Sequence, residues 1–273
     1  MLILLLFVVA LGAAAPATAG PTLAVEDTLY TEVPEVLVRA PRVTLEEILG
    51  RVARGEARRE SLLTDQSFQV TIRMMRDVTR GTPPRLVEET VWRIYRKRPD
   101  KVRSLLLRRT EPPRKKHGAR SEVNVDFSPG MGEEVVNFAF APEARGEYRY
   151  HLIGRDLVGG HVIYRLAFEP RSLLSALNPS GVVWIDTNDL VIVREEVFFR
   201  QSPVPLVLKR LHRMVIERTR AGESWVLARV LLRAELTAPL PTIGSSFDMT
   251  MRYDDYVLNR GLPDSLFVDA RGR

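Results

Sequence analysis

From residue 66 to residue 258 the chain alternates apolar and polar residues with few pauses, and that alternation leaves few folds open to it. Successive side chains of a β-strand point to opposite faces. A run such as "QSFQVTIRMMRDV" (66–78), with Phe68, Val70, Ile72 and Met74 set against Gln69, Thr71 and Arg73, therefore reads as a strand with one buried face. The same reading covers "RLVEETVWRIYRKR", "KVRSLLLRRT", "EEVVNFAFA", "GEYRYHLIG", "DLVGGHVIYRLAFEP", "SGVVWIDT", "LVIVREEVFFR", "LVLKRLHRMVIERT", "ESWVLARVLLRAELTA" and "SSFDMTMRYDDYVLN". These make about eleven candidate strands, and Gly, Pro or Asn/Asp clusters punctuate most of the joints. The connections are mostly short, so sequential antiparallel pairing is the economical topology.

The period changes in two places. "TLEEILGRVARGEARRESLL" (44–63) carries Leu45, Ile48, Leu49, Val52 and Ala53 at the i, i+3, i+4 spacing of an amphipathic helix, and Thr44 with Glu47 forms a capping-box signature. Arg51, Arg54, Arg58 and Arg59 fall largely on the other side, as a solvated face or, alternatively, an anionic-lipid contact. "EPRSLLSALNPS" (169–180) places Leu173, Leu174 and Leu177 at helical spacing, which predicts a short second helix over an open end of the sheet. The expected fold is mainly β (α+β): a strongly curved antiparallel sheet forming an incomplete β-barrel, with the two helices as its lid.

Segments outside this pattern divide the rest of the chain. Residues 1–19, "MLILLLFVVALGAAAPATA", read as a secretory signal peptide with Ala17-Thr18-Ala19 as the cleavage pattern. Their apolar core spans about a dozen residues, short of the roughly 20 that an uncleaved anchor needs to cross a bilayer. Residues 20–43, with Pro21, Pro34 and Pro41, read as an extended arm; 44–258 is the main domain and 259–273 a C-terminal tail. Residues 109–132 form a polar insertion in the meander with a basic tip at Arg114, Lys115 and Lys116.

The chain has no cysteine, which excludes a disulfide scaffold, a thiol nucleophile and a Cys-ligated metal. Its net charge is +6, suited to an anionic membrane surface or an acidic partner, and export makes nucleic acid an unsuitable partner. His117, His151, His161 and His212 show no metal-ligand spacing, and no nucleophile elbow, phosphate loop or dinucleotide fingerprint occurs. "LVGGHV" (157–162) reads as a hairpin turn or bulge.

Asp186 with Asp189, and Asp254 with Asp255, have the composition of acid/base pairs. The first pair lies in "GVVWIDTNDLVIVREE" (181–196), where Asp and Asn serve equally well to shape a tight turn; the second sits at a strand end, where a solvated pair is expected. No catalytic residue, metal or cofactor is expected, and a hydrolase built on Asp186 or Asp254 is the least favoured reading.

What the sequence supplies in quantity is apolar surface on alternating positions. Phe68, Val70, Ile72, Trp92, Ile94, Phe138, Phe140, Tyr164, Leu166, Phe168, Trp184, Val191, Val193, Val230, Leu232, Phe247, Met249 and Met251 are candidates to line the concave face, with Leu45, Ile48, Leu49 and Val52 as the lid. Many of these must pack against the helix as ordinary core. One helix covers only part of so wide a sheet, and the remaining apolar surface suits an acyl chain, with Met74, Met75, Met249 and Met251 as adaptable lining.

The order of elements, a signal, a capped helix leading into "SFQVTIRM", the meander and a late Trp hairpin, resembles the LolA-like lipoprotein carriers and outer-membrane lipoprotein-sorting proteins. The hairpin matches through Trp184, Ile185, Asp186, Leu190, Ile192 and Arg194, and the resemblance spans roughly 44–258. It implies an incomplete β-barrel in the periplasm that takes up acyl chains of lipoproteins or lipids noncatalytically, with a membrane-associated donor or acceptor protein. The alternative is a structural or sensor module of the cell envelope, its core filled by its own side chains and its arm (20–43) docking a partner strand by β-augmentation.

Overall fold

The computed structural model describes residues 43–76, 84–110, 139–158, 160–172, 178–202, 206–240 and 243–268. Thr44 opens helix α1 (Leu45–Leu62): its hydroxyl accepts the Glu47 amide at 3.2 Å and satisfies one of the otherwise unpaired N–H groups of the first turn. Glu46 and Glu47 stand in that turn and Arg59 in the last, each at the end of the helix dipole that suits its charge.

The strands are β1 (Asp65–Arg76), β2 (Arg85–Lys97), β3 (Lys101–Thr110), β4 (Tyr148–Val158), β5 (His161–Pro170), β6 (Ser180–Asp186), β7 (Val191–Phe198), β8 (Leu208–Ala221), β9 (Ser224–Leu240) and β10 (Gly244–Leu258). They form one ten-stranded antiparallel sheet in the order β3-β2-β1-β10-β9-β8-β7-β6-β5-β4. Consecutive strands pair except β3 and β4, and β1 also pairs with β10. The two edges, β3 and β4, are consecutive in the chain and do not pair, so the sheet is open and not a closed barrel.

Ten strands among the described residues replace the expected eleven. The difference lies at "EEVVNFAFA": residues 133–138 fall outside the described residues, while Ala139 and Phe140 form a turn. Phe140 is held there because its ring packs on Tyr150 and Phe168, and the Ala139 carbonyl accepts the Tyr150 hydroxyl. Two further expectations, the second helix through Leu173, Leu174 and Leu177 and the basic tip at Arg114 to Lys116, lie outside the described residues, as does the arm up to residue 42.

Contacts of α1 show how far the sheet curls. The helix touches β4, β7 and β9, and β9 and β4 are five places apart in the sheet. Laid flat at about 4.8 Å per strand they would be roughly 24 Å apart, about twice the width of a helix. The sheet therefore wraps around α1. Its inner face forms one contiguous core with the helix, drawing on every strand except β3. On β3, Val102, Leu105, Leu106 and Leu107 remain exposed.

The segment after β10 is fastened beside the end of α1 and the start of β1. The Asn259 carboxamide accepts the Thr64 amide at 2.9 Å and donates to the Leu62 carbonyl at 2.7 Å, closing off the C-terminus of α1. Asp65 accepts the amides of Arg260 and Gly261, and Lys97 reaches the Leu262 carbonyl at 2.7 Å.

Candidate functional site

The turn between β6 and β7 answers the question its carboxylates raise. Asp186 is buried, and its Oδ1 accepts the amides of Asn188 at 2.8 Å and Asp189 at 3.1 Å, while Oδ2 lies 2.8 Å from His161 Nδ1. Asp189 accepts from Arg220 at 2.6 Å and from the Trp225 indole at 2.7 Å. Both side chains hold the turn and its neighbours in place. Among the described residues, no His/Cys/Asp/Glu cluster suits a metal ion.

The turn serves as a seat for α1. Leu190, at φ 57°, presents its carbonyl to Gly55, and a β-carbon on Gly55 would stand 2.1 Å from that oxygen. Only glycine allows the two backbones to come so close. One residue further along the helix, Glu56 enters the interior.

Glu56 Oε1 accepts Arg218 Nη1 at 2.6 Å and the Ile192 amide at 2.8 Å, and Oε2 accepts Arg59 Nε at 3.1 Å. Arg218 Nη1 also donates to the Ile192 carbonyl at 2.9 Å. The cluster thus ties the helix to β7 and β8. Burial alone would raise the Glu56 carboxyl; Arg218 and Arg59 beside it, with the bonds from Arg218 and Ile192, hold it below the ordinary carboxylate range.

Glu195 completes the group. It lies opposite Val183 of β6 and Ile216 of β7's other neighbour, β8, on the inner face and fully buried. Among the described residues neither of its carboxyl oxygens has a hydrogen-bond partner, and neither do Arg218 Nε and Nη2. Burial pushes its carboxyl well above the ordinary range, an effect that Arg218 opposes and Glu56 reinforces.

A buried acid of this kind has a defined effect on stability. Its raised folded-state pKa means that the native state binds the extra proton, so its contribution is present below about 4.5, the unfolded value, and is lost as pH rises through the folded value. Glu195→Leu is expected to raise stability at neutral pH by about 1–3 kcal/mol, the cost of an unsatisfied buried polar group. Urea unfolding across a pH series should show the gain growing above pH 4.5; a gain independent of pH would contradict the assignment.

The structure gathers most of the residues chosen from the sequence. Phe68, Val70, Ile72, Ile94, Phe140, Leu166, Phe168, Val230, Leu232, Phe247, Met249 and Met251 share one buried cluster with Ile48, Leu49 and Val52, and Leu45, Trp92 and Tyr164 pack at its margin. Val191 is buried outside that cluster. Phe138 lies outside the described residues.

Trp184 and Val193 are corrections. Trp184 has the opposite parity to the core residues Val183 and Ile185, and its half-buried ring lies 5.2 Å from the Arg194 guanidinium carbon. Val193 is the extra residue at a bulge, where the pairing passes from Trp184 with Arg194 to Ile185 with Ile192. Neither faces the interior.

The sequence reading missed Glu56, Arg218 and Glu195, though each left a signal. Glu56 continues the apolar stripe of α1 one turn beyond Val52, and Glu195 and Arg218 interrupt the inward-facing sets of β7 and β8.

No family model matches the chain, and no curated protein matches it. Among solved structures, a DUF1329 family protein from Desulfovibrio piger is similar over 81% of this chain and 98% of that one, with 14% identity and a TM-score of 0.44. A putative outer membrane lipoprotein-sorting protein domain from Vibrio parahaemolyticus is similar over 82% and 97%, with 14% identity and a TM-score of 0.38. A LolA superfamily protein from Nitrosomonas europaea is similar over 83% and 98%, with 14% identity and a TM-score of 0.37.

Proposed function

We propose that the protein is a noncatalytic, exported binding protein for lipoproteins or other acyl-chain lipids, which holds the acyl chain on the concave face of the sheet with α1 as a movable lid. The carrying observation is how the helix is seated. It buries three aliphatic side chains, Ile48, Leu49 and Val52, in its first half, and Gly55, Glu56 and Arg59 beyond them.

Three buried aliphatic side chains contribute roughly 1.5–3 kcal/mol each, and an acyl chain about 0.8 kcal/mol for each CH₂ it buries. A chain of roughly six to eleven CH₂ groups therefore matches the aliphatic burial that the helix gives up on leaving. Export rests on the apolar leader of residues 1–19, and the basic chain suits delivery at an anionic membrane surface, to or from a membrane-associated protein.

Native mass spectrometry of the mature protein, as purified and after delipidation and reloading with lipids or lipopeptides, tests this reading. Bound acyl species are expected, together with loss of hydrogen-exchange protection in α1 while the strands stay protected. A protein that stays empty under every loading condition would overturn it.

A specific observation favours a second reading, an envelope structural or sensor module that binds a protein partner. Val70, Ile94, Leu166, Val183 and Ile185 are all 0% exposed, so in this conformation the inner face is filled by the chain itself. Persistent emptiness with α1 still protected supports that alternative.

A further inference from the structure

We infer that Arg218 and Glu195 form a recognition site for the carboxylate of a long-chain free acid, and that Glu56 of α1 occupies part of it as an internal stand-in for that carboxylate. This rests on the reading of α1 as a lid over an acyl-binding face, and it adds the chemistry of the ligand's polar end.

The helix has the layout of such a ligand. Its buried stripe runs from the apolar Ile48, Leu49 and Val52 to Glu56, about 12 Å at 1.5 Å per residue, and there meets a guanidinium with its carboxylate, with Arg59 buried beyond. An acid that displaced this stripe would bring its own carboxylate to Arg218.

Arg218 is ready to receive it. Its side chain is 1% exposed, and only Nη1 is engaged, by Glu56 and the Ile192 carbonyl. Nε and Nη2, the side-on edge that takes a carboxylate in two parallel hydrogen bonds, have no partner among the described residues.

Glu195 supplies the rest of the site. It sits on the inner face diagonal to Arg218, because its cross-strand partner on β8 is Ile216. Among the described residues, Glu56 is the carboxylate bonded to Arg218, and Arg59 is shared between Glu56 and Glu60. A buried guanidinium edge without acceptors is costly, and a carboxylate supplies them. The same carboxylate would take hydrogen bonds from both free guanidinium nitrogens and from the Glu195 hydroxyl. An ester, which carries no charge, offers this edge only neutral acceptors.

The test compares palmitic acid with methyl palmitate on the delipidated mature protein, by isothermal titration and native mass spectrometry. The acid is expected to bind at least tenfold more tightly than the ester, the effect of one or two charge-assisted hydrogen bonds. In the double variant Glu56→Gln, Arg218→Met the ester affinity should persist while the ratio falls to about one. Glu195→Leu, which leaves Arg218 in place, should lower the ratio several-fold and covers the case in which the double variant does not fold. Equal affinity of the wild-type protein for acid and ester would overturn the carboxylate site and leave the acyl-binding reading standing. Failure to bind either overturns both.

Discussion

Replacing Arg218 alone by Met is expected to lower the unfolding free energy by about 3–5 kcal/mol, the cost of leaving a buried charge without its partner. The substitution removes the donor to both Glu56 and the Ile192 carbonyl, and leaves the Glu56 carboxylate in the interior with Arg59 as its remaining cation. Adding Glu56→Gln should recover most of the loss. The amide still accepts the Ile192 N–H, and a neutral pair of similar volume avoids the desolvation cost that the ion pair carries. Urea midpoints of the wild type, the single and the double variant measure both steps; a double variant no more stable than the single would show that the pair is not the source of the loss.

The pH dependence gives an independent check. Because Arg218 and Arg59 hold the folded-state pKa of Glu56 below its unfolded value of 4.5, the stability it contributes is present above 4.5 and is lost as pH falls through the folded value. The wild-type protein should therefore weaken on acidification below 4.5, and Arg218→Met should weaken less steeply there, having already lost the main cause.

Gly55→Ala is the second substitution with a large expected effect, and it acts on the lid itself. A methyl group 2.1 Å from the Leu190 oxygen cannot be accommodated while α1 stays seated, because the opposing atom is backbone in a turn fixed by Asp186. The gain in helix propensity, about 1 kcal/mol, works in the other direction and keeps α1 helical once it lifts. A net loss of roughly 2–4 kcal/mol in docking is expected, above the usual range for one added methyl group because the seat cannot yield.

Where that loss appears decides whether α1 behaves as a lid. Hydrogen exchange should speed up across Leu45–Leu62 while strand amides near the β1–β10 seam remain protected, and acyl ligands should exchange faster. Uniform loss of protection over helix and sheet would instead mean that α1 is an inseparable part of the core, and would favour the partner-binding module. Unchanged protection of α1 would refute the close contact.

The sequence by itself determined the elements, because their signals are local. Thr44 with Glu47 fixes the helix start, period-two alternation identifies the strands, and Asp186 to Asp189 make a turn in which the Asp186 side chain accepts two of the turn's own backbone amides. The strand count was less secure at "EEVVNFAFA", where Phe140 answers to the rings of Tyr150 and Phe168, distant in the chain, and so sits in a turn. A bulge likewise removed Val193 from the inner face, since one extra residue changes parity.

Only the tertiary structure decided which polar residues enter the interior and what they meet there. Glu56 and Arg218 are 162 residues apart, and nothing in either neighbourhood specifies that they pair. Their bond exists because the sheet curls far enough for one helix to touch β4, β7 and β9 at once, and because Gly55 lets that helix rest on the β6–β7 turn. Curvature is a property of the whole sheet, accumulated from the twist of every strand pair, so no single segment of the sequence encodes it.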